Sequence, residues 1–168
     1  MIFTTVQSFI DNYSNESAAT QRLFDRLTDA SLAQAIAADH RTIGRIAWHL
    51  ATMPYEMPTL AGLQLPVPGD SQQPPASAAV IADTYRQASQ ALLAAVPAQW
   101  TDATLAETRI LYGQTWPNGR MLHLLIAHEI HHRGQLTVLM RQAGMRVPDL
   151  YGPVYEDWAE RGLAAPVV

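Results

Sequence analysis

One stretch of the chain decides the fold, and it runs Leu124-Leu125-Ile126-Ala127-His128-Glu129-Ile130-His131-His132-Arg133-Gly134-Gln135-Leu136. Its apolar residues recur at spacings of three and four, which predicts a long helix. His128 and His132 are four residues apart, so they project from one face of that helix about one turn from each other. Two neutral imidazoles held in this way can chelate a divalent transition metal. The stretch therefore predicts a metal site on a helix.

The helical register leaves open which histidines face the protein interior. One inward series passes through His128 and His132, together with Met121, Leu125, Gln135 and Leu139. Another series fits almost as well and passes through His128 and His131, together with Leu124, Gln135 and Val138. A buried polar group without a partner costs about 1 to 3 kcal/mol, and a metal would supply that partner. Spacing alone does not choose between His131 and His132.

The rest of the chain repeats the helical periodicity. Helices are predicted over residues 4–28, over 41–53 with Pro54 expected to end or kink the helix, from a Ser77 cap through about Ala95, and over roughly 119–143. Residues 65–75 are broken by Pro and Gly and are predicted to form a loop. Residues 108–113 could form a short strand, residues 116–119 a turn, and residues 155–161 a short terminal helix. The expected fold is all-α, a four-helix bundle with a long crossover between helices 2 and 3.

Composition limits the chemistry that is available. The 168 residues are expected to form a single domain, residues 1–168, that is large enough to bury a core. The chain has no cysteine, which excludes disulfides, thiolate ligands and a cysteine nucleophile. Histidine, aspartate and glutamate are therefore the ligands to consider for a metal.

Charge and hydropathy bear on partners and location. Fifteen acidic residues against eleven basic ones give a net charge of −4, and the basic residues are all arginines scattered along the chain. This pattern does not predict nucleic-acid binding. The segment from Met1 to Asn12 has no basic stretch before its apolar residues, and no apolar run approaches the ~20 residues that span a bilayer. We therefore expect a cytoplasmic protein without a membrane partner.

The same letters also contain a zinc peptidase pattern. Residues 128–132 satisfy His-Glu-x-x-His, in which Glu129 would act as general base. The third ligand would then come from Glu156, Glu160 or Asp149 downstream. The extended metzincin form fails, because Gln135 and Val138 stand where its glycine and its last histidine belong. The peptidase hypothesis is the lesser alternative, because a small helical bundle lacks the edge strand that aligns a peptide substrate.

Several motifs together carry a family resemblance. Ile46-Ala47-Trp48-His49-Leu50 pairs with the downstream His128 and His132-Arg133-Gly134-Gln135-Leu136, followed by Arg141-Gln142-Ala143-Gly144 and Pro148-Asp149-Leu150-Tyr151-Gly152. This combination spans most of the chain and resembles the DinB-like (YfiT-like) family of metal-binding four-helix bundles. The resemblance implies that the metal ligands are His49, His128 and His132, and that His131 is not one of them. It also implies a divalent transition metal, with zinc or nickel expected first.

The resemblance further implies a range of functions. Some members of the family are metal-dependent enzymes that act on small molecules, either as transferases that use a low-molecular-weight thiol or as hydrolases. We expect Glu129 to be the nearest candidate catalytic residue for proton transfer, although it lies ~100° around the helix from His128. The polar middle of the first helix, with Tyr13, Ser17 and Thr20, is expected to border the substrate cavity. The alternative is a metal-binding or ligand-binding protein without turnover, stress-associated and homodimeric.

Overall fold

Four long helices make up most of the computed structural model, which describes residues 2–66 and 72–167. The elements follow in the order α1 (Val6–Phe24), a 3-10 helix (Asp29–Ala33), α2 (Ile43–Leu60), α3 (Ala78–Gln99), α4 (Asp102–Ala106), β1 (Thr108–Leu111), β2 (Gln114–Pro117), α5 (Asn118–Gln142) and α6 (Tyr155–Glu160). The two strands form one small hairpin. The predicted all-α bundle is confirmed, with this hairpin as an addition.

The long helices pack as two pairs around a common core. α1 packs against α3 and α5, and α2 packs against the same two helices. Helices α1 and α2 therefore lie diagonally across the bundle, and α2 and α5 are neighbours. The predicted long crossover corresponds to residues 61–77, of which residues 67–71 lie outside the described part of the chain. This arrangement places the single histidine of α2 beside the histidines of α5.

Hydroxyl side chains mark where three of the long helices begin. Thr5, Thr42 and Ser77 each accept a hydrogen bond from a backbone N–H in the first turn of the helix that follows. These bonds satisfy donors that would otherwise have no partner in the helix. The predicted Ser77 cap of α3 is thereby confirmed, and Thr42 fixes the start of the helix that carries His49.

Pro54 does not end the second helix, although an end there was one of the two outcomes expected of this proline. Helix α2 continues through Pro54 and Pro58 to Leu60. A proline in a helix interior costs ~3 kcal/mol because it lacks an N–H and crowds the preceding turn. The residues around both prolines are buried against the rest of the bundle, among them Met53, Tyr55 and Met57. Burial of this apolar surface outweighs the local preference of proline.

The hairpin before α5 corrects a second expectation. Leu111 pairs with Gln114, so the turn consists of Tyr112 and Gly113, both with positive φ. Two such residues between paired strands are typical of a type I′ hairpin turn. The predicted turn over residues 116–119 is therefore wrong, because β2 runs to Pro117 and passes directly into α5. The N–H of Asn118 donates to the carbonyl of Glu107 at 2.9 Å, which fixes this junction.

The C-terminal segment and the helix lengths complete the fold. The predicted short terminal helix is present as α6, and none of its residues is buried. Among the described residues, no helix combines the length and the hydropathy needed to cross a lipid bilayer.

Candidate metal centre

Three histidines from two helices meet at one point in the bundle. Nε2 of His49 on α2 lies 2.9 Å from Nε2 of His128 on α5. Nε2 of His132 lies 3.1 Å from the same nitrogen of His128. All three residues offer a ring nitrogen within 4.8 Å of the other two, and they form a group that could hold a metal ion. The structure therefore brings together the three residues that the resemblance singled out.

The site is half sheltered from solvent. His132 is buried, whereas His49 and His128 are partly exposed. His131, the alternative that helical spacing left open, is exposed and does not belong to the group. The inward series through His128 and His132 is therefore the one that the bundle uses.

Gln135 fixes the orientation of one imidazole. Its Oε1 accepts a hydrogen bond from Nδ1 of His132 at 2.7 Å. An amide oxygen only accepts, so neutral His132 carries its proton on Nδ1 and keeps a free lone pair on Nε2. The amide nitrogen of Gln135 lies 3.3 Å from Nε2 of His131, which orients Gln135 in turn. Such a partner behind a ligand is common at metal sites.

The surroundings favour the neutral form of all three rings. Burial is the main cause that lowers the pKa of His49 to about 4, and the neighbouring histidines lower it further. Burial also lowers the pKa of His128 and of His132. The charge of Arg41 lowers the pKa of each of the three. Neutral imidazoles are the form that binds a metal.

The geometry fits a first-row transition metal. Imidazole nitrogens bind zinc at about 2.0–2.1 Å in a tetrahedral arrangement, which places two such nitrogens about 3.3–3.4 Å apart. The separations of 2.9 Å and 3.1 Å between Nε2 atoms are slightly shorter than this. A small outward movement of the rings would accommodate the ion. Three nitrogens of borderline softness suit zinc, nickel, cobalt or copper.

Glu129 points away from the histidines although it follows His128 directly. Its side chain is fully buried, and its Oε1 accepts hydrogen bonds from Thr20 and Tyr85, each at 2.6 Å. Burial is the main cause that raises the pKa of this carboxyl group. Among the described atoms its Oε2 has no hydrogen-bond partner. The carboxyl group thus lies in the core between α1 and α3, and its catalytic role stays a prediction.

Arg133 follows His132 and is also turned into the core. Its guanidinium is 1% exposed and forms an ion pair with Glu16 of α1. It also donates to the carbonyl of Glu16 at 2.8 Å and to the hydroxyl of Thr20 at 3.0 Å. Tyr151 lies against the guanidinium and donates to the carboxylate of Glu16 at 2.5 Å. This buried pair ties α5 to α1 and to the C-terminal segment.

A cavity of about 450 Å³ opens beside the histidines. Its walls are formed by Ile36, His40, Arg41, Ile46, His132, Gln135, Val138 and Leu139. The polar middle of α1, expected to border the substrate, does not line this cavity. Tyr13 and Thr20 are fully buried, and Thr20 is bonded to Glu129 and Arg133.

No sequence pattern predicts the cavity residues that precede α2. Residues 34–42 carry no helical pattern, and no motif there marks His40 or Arg41 as a cavity residue. Their position depends on a contact between the two ends of this segment: Ala35 pairs with Thr42 in a β-bridge, and the N–H of Ile43 donates to the carbonyl of Gln34 at 2.8 Å. Such a closed loop leaves no periodicity in a sequence.

Comparison with known proteins identifies the family. The model of the DinB family matches residues 2–163. This chain belongs to the DinB family. The YrdA protein of Bacillus subtilis strain 168, described as uncharacterized, is 47% identical over 165 residues, which cover 98% of this chain and 99% of YrdA. The predicted family is therefore confirmed by the sequence as well as by the fold.

Two crystal structures show the same architecture. A DinB-like protein from Bacillus cereus ATCC 10987 is 41% identical, with a TM-score of 0.86 over 89% of this chain and 100% of the other. The DinB-like protein YjoA from Bacillus subtilis is 19% identical, with a TM-score of 0.68 over 88% of this chain and 99% of YjoA. The second similarity concerns the fold alone.

Proposed function

We propose that this member of the DinB family binds a divalent transition metal through His49, His128 and His132 and uses it to act on a small molecule. Zinc and nickel are the ions we expect first. The observation that carries the proposal is the meeting of three Nε2 atoms from α2 and α5, with separations of 2.9 Å and 3.1 Å. Three protein ligands leave a coordination position open, as is typical of catalytic rather than structural sites.

The metal ion, Gln135 and the adjoining cavity would each have a separate role in the reaction. When bound, the ion would supply a Lewis acid that polarises a carbonyl group or activates a thiol or water. Gln135 would hold the ring of His132 in the tautomer that presents Nε2. The adjoining cavity would bind the substrate, because it is lined by aliphatic side chains with a few polar groups, as is usual for small-molecule sites.

Two reaction classes are consistent with this arrangement. A thiol-dependent transferase would bind a low-molecular-weight thiol and join it to an electrophile, and a hydrolase would use water on an ester or amide. The alternative is a protein that binds a metal or a ligand without turnover. We also propose a homodimer on the basis of the family resemblance, and a cytoplasmic location as expected from the charge and hydropathy of the sequence.

The peptidase hypothesis has less support from the structure than a metal-dependent reaction on a small molecule. The general base of that motif must reach a substrate beside the metal, but Glu129 is fully buried and hydrogen bonded to Thr20 and Tyr85. The proposed third ligands are also engaged elsewhere: Glu156 pairs with Arg141, Glu160 pairs with Arg146, and Asp149 accepts from the N–H of Gly152. Within residues 2–66 and 72–167 the candidate ligand group contains histidines only.

Elemental analysis of protein purified without an affinity tag tests the metal site. We expect His49→Ala, His128→Ala and His132→Ala each to lose the bound metal while the far-ultraviolet circular dichroism stays helical. His131→Gln is the matched control, because His131 is exposed, adjacent in sequence and outside the group, and the glutamine oxygen can still accept a hydrogen bond from the amide of Gln135. Metal loss in His131→Gln together with metal retention in His132→Ala would contradict the ligand set.

A second experiment separates the enzyme from the binding protein. Metal-loaded protein is incubated with small electrophiles and added thiols, and separately with simple esters and amides. Turnover that disappears in folded His49→Ala protein supports the enzyme. Full metal occupancy with no turnover of either substrate class supports the alternative without catalysis. Casein cleavage that depends on Glu129 would instead favour the peptidase.

A further inference from the structure

The cavity beside the histidines has a divided surface. Four of its lining residues are aliphatic, namely Ile36, Ile46, Val138 and Leu139. Its polar lining residues are His40, Arg41, His132 and Gln135, and among residues 2–66 and 72–167 no acidic side chain lines it. Its volume of about 450 Å³ is within the range of ~300–1,000 Å³ that small-molecule sites occupy. The cavity thus combines an apolar wall with a positively charged one.

Arg41 supplies the positive charge. Its side chain is exposed and makes no hydrogen bond or ion pair with any residue that the structure describes. Other arginines of the chain do have carboxylate partners, for example Arg133 with Glu16 and Arg141 with Glu156. A guanidinium on a cavity wall that has no partner among the described residues is available to bind an anion, even in a protein with a net charge of −4.

The backbone holds Arg41 in place before any ligand arrives. The segment from residue 34 to residue 42 is closed by the bridge between Ala35 and Thr42. Thr42 is also the N-cap of α2, and its hydroxyl accepts from the N–H of Arg45 at 3.2 Å. Arg41 therefore lies directly before a capped helix start, and its backbone needs little ordering when an anion binds.

We propose that the cavity recognises small molecules with an anionic head and an apolar body, with Arg41 binding the head. The apolar body lies along Ile36, Ile46 and Val138, and the molecule extends toward His132. The assignment of such a molecule as the substrate rests on the proposed function. The binding preference itself rests on the cavity and does not require a metal.

Calorimetric titration with octanoate, and with octanamide as the neutral counterpart of the same length, tests this inference. We expect octanoate to bind about tenfold more tightly than octanamide, because a guanidinium forms charge-assisted hydrogen bonds with a carboxylate. We expect Arg41→Gln to bind octanoate about as weakly as octanamide. Arg26→Gln is the matched control, because Arg26 is exposed and its side chain has no partner among the described residues.

The apolar half of the cavity has its own variant. Ile36 lines the cavity and is 60% exposed, so Ile36→Ser leaves the core untouched. We expect this variant to weaken both octanoate and octanamide by a similar factor, since it removes apolar contact and no charge. Acetate, which lacks the apolar body, is expected to bind more weakly than octanoate in every variant.

The titrations are done on metal-free and metal-loaded protein, so that the two proposals fail separately. Equal affinity for octanoate and octanamide, no binding of octanoate, or the same affinity in Arg41→Gln and Arg26→Gln would overturn the inference. Octanoate binding that is unchanged in Arg41→Gln and is lost in metal-free protein would also overturn the inference, because the metal ion would then bind the carboxylate. Arg41-dependent binding in protein that holds no metal would support this inference and leave the metal proposal to elemental analysis.

Discussion

Glu129 and Arg133, one turn apart on α5, share the hydroxyl group of Thr20. This hydroxyl donates to Oε1 of Glu129 at 2.6 Å and accepts from the guanidinium of Arg133 at 3.0 Å. Each of the two residues directly follows a histidine of the candidate site, and the ~100° rotation per residue turns the histidines toward α2 and their neighbours toward α1. Contacts on a face about 100° from the histidines therefore fix the rotation of α5 about its own axis.

Removing the shared hydroxyl is expected to destabilise the bundle. Thr20→Val keeps the shape of the side chain but takes one partner from a buried carboxyl group and one from a buried guanidinium. We expect the free energy of unfolding to fall by about 1 to 3 kcal/mol, measured by urea denaturation of metal-free protein. Thr20→Ser retains the hydroxyl and is expected to lose less. Equal stability of Thr20→Val and the wild type would contradict the role assigned to this contact.

Gln135 is expected to tune metal affinity without being a ligand. Gln135→Ala removes the acceptor of the hydrogen bond from Nδ1 of His132, so the ring is free to change tautomer and rotate. We expect metal affinity to fall by about 10- to 100-fold, measured by competition with a chromophoric chelator. Gln135→Glu keeps an acceptor oxygen and should retain most of the affinity. Unchanged affinity in Gln135→Ala would show that His132 is oriented by other contacts.

Two glycines of α5 are expected to respond oppositely to alanine. A Cβ at Gly119 would lie 2.0 Å from the carbonyl oxygen of Phe3, a backbone atom that cannot rotate away. Gly119→Ala should therefore displace the N-terminal segment and lower the free energy of unfolding by about 1 to 3 kcal/mol. A Cβ at Gly134 would meet no described atom within 4 Å. Gly134→Ala should therefore raise the free energy of unfolding by about 1 kcal/mol, because alanine has the higher helix propensity.

Thermal and urea unfolding of the two alanine variants provide the comparison. A stable Gly119→Ala protein would show that the N-terminal segment does not pack closely on α5. A loss of stability in Gly134→Ala would show that a second molecule covers this position. Light scattering on the same samples would then decide whether that molecule is another copy of the chain.

Helix α6 is expected to detach when its ion pairs are weakened. None of its residues is buried, and its acidic side chains pair with Arg141 and Arg146. The Arg141 guanidinium is the main cause that lowers the pKa of Glu156 to about 2. A carboxyl group whose pKa is lowered by folding stabilises the folded form above its usual pKa. This contribution should disappear as the pH falls from about 4.5 toward 2.

The detachment can be followed by the indole NMR signal of Trp158, which lies within α6. We expect this signal to shift toward its unstructured position in acid, and also at neutral pH in 1 M salt, where charges are screened within about 3 Å. In Glu156→Gln the Trp158 signal should already lie closer to its unstructured position, and it should shift less with acid and with salt. A Trp158 signal that does not change in 1 M salt would indicate that apolar contacts, and not ion pairs, hold α6 on the bundle.

Most of the fold was predictable because helical periodicity is a local property of the sequence. The apolar stripes predicted α1, α3 and α5 to within a few residues, and Ser77 marked the start of α3 correctly. The end of α2 was not predictable from Pro54, because burial of the residues around it depends on the other helices. The 3-10 helix and α4 are short elements that follow the capping residues Thr28 and Thr101, and neither is long enough to show an apolar stripe in the sequence.

The candidate site was predictable in part. The spacing of His128 and His132 indicated one half of it, and the resemblance pointed to His49. The choice between His131 and His132 depends on which face of α5 meets α2, and this is a property of the packed bundle. The burial of Glu129 and the place of Arg41 depend on contacts with residues far away in sequence, which no local pattern encodes.

The candidate ligands come from helices that are separated by 79 positions between His49 and His128. A synthetic peptide covering α5 alone would carry two of the three imidazoles and could still bind an ion through them. The ratio between its affinity and that of the folded chain would therefore report the effective concentration at which the bundle presents the third imidazole. Metal titration would thus measure how stably α2 packs against α5.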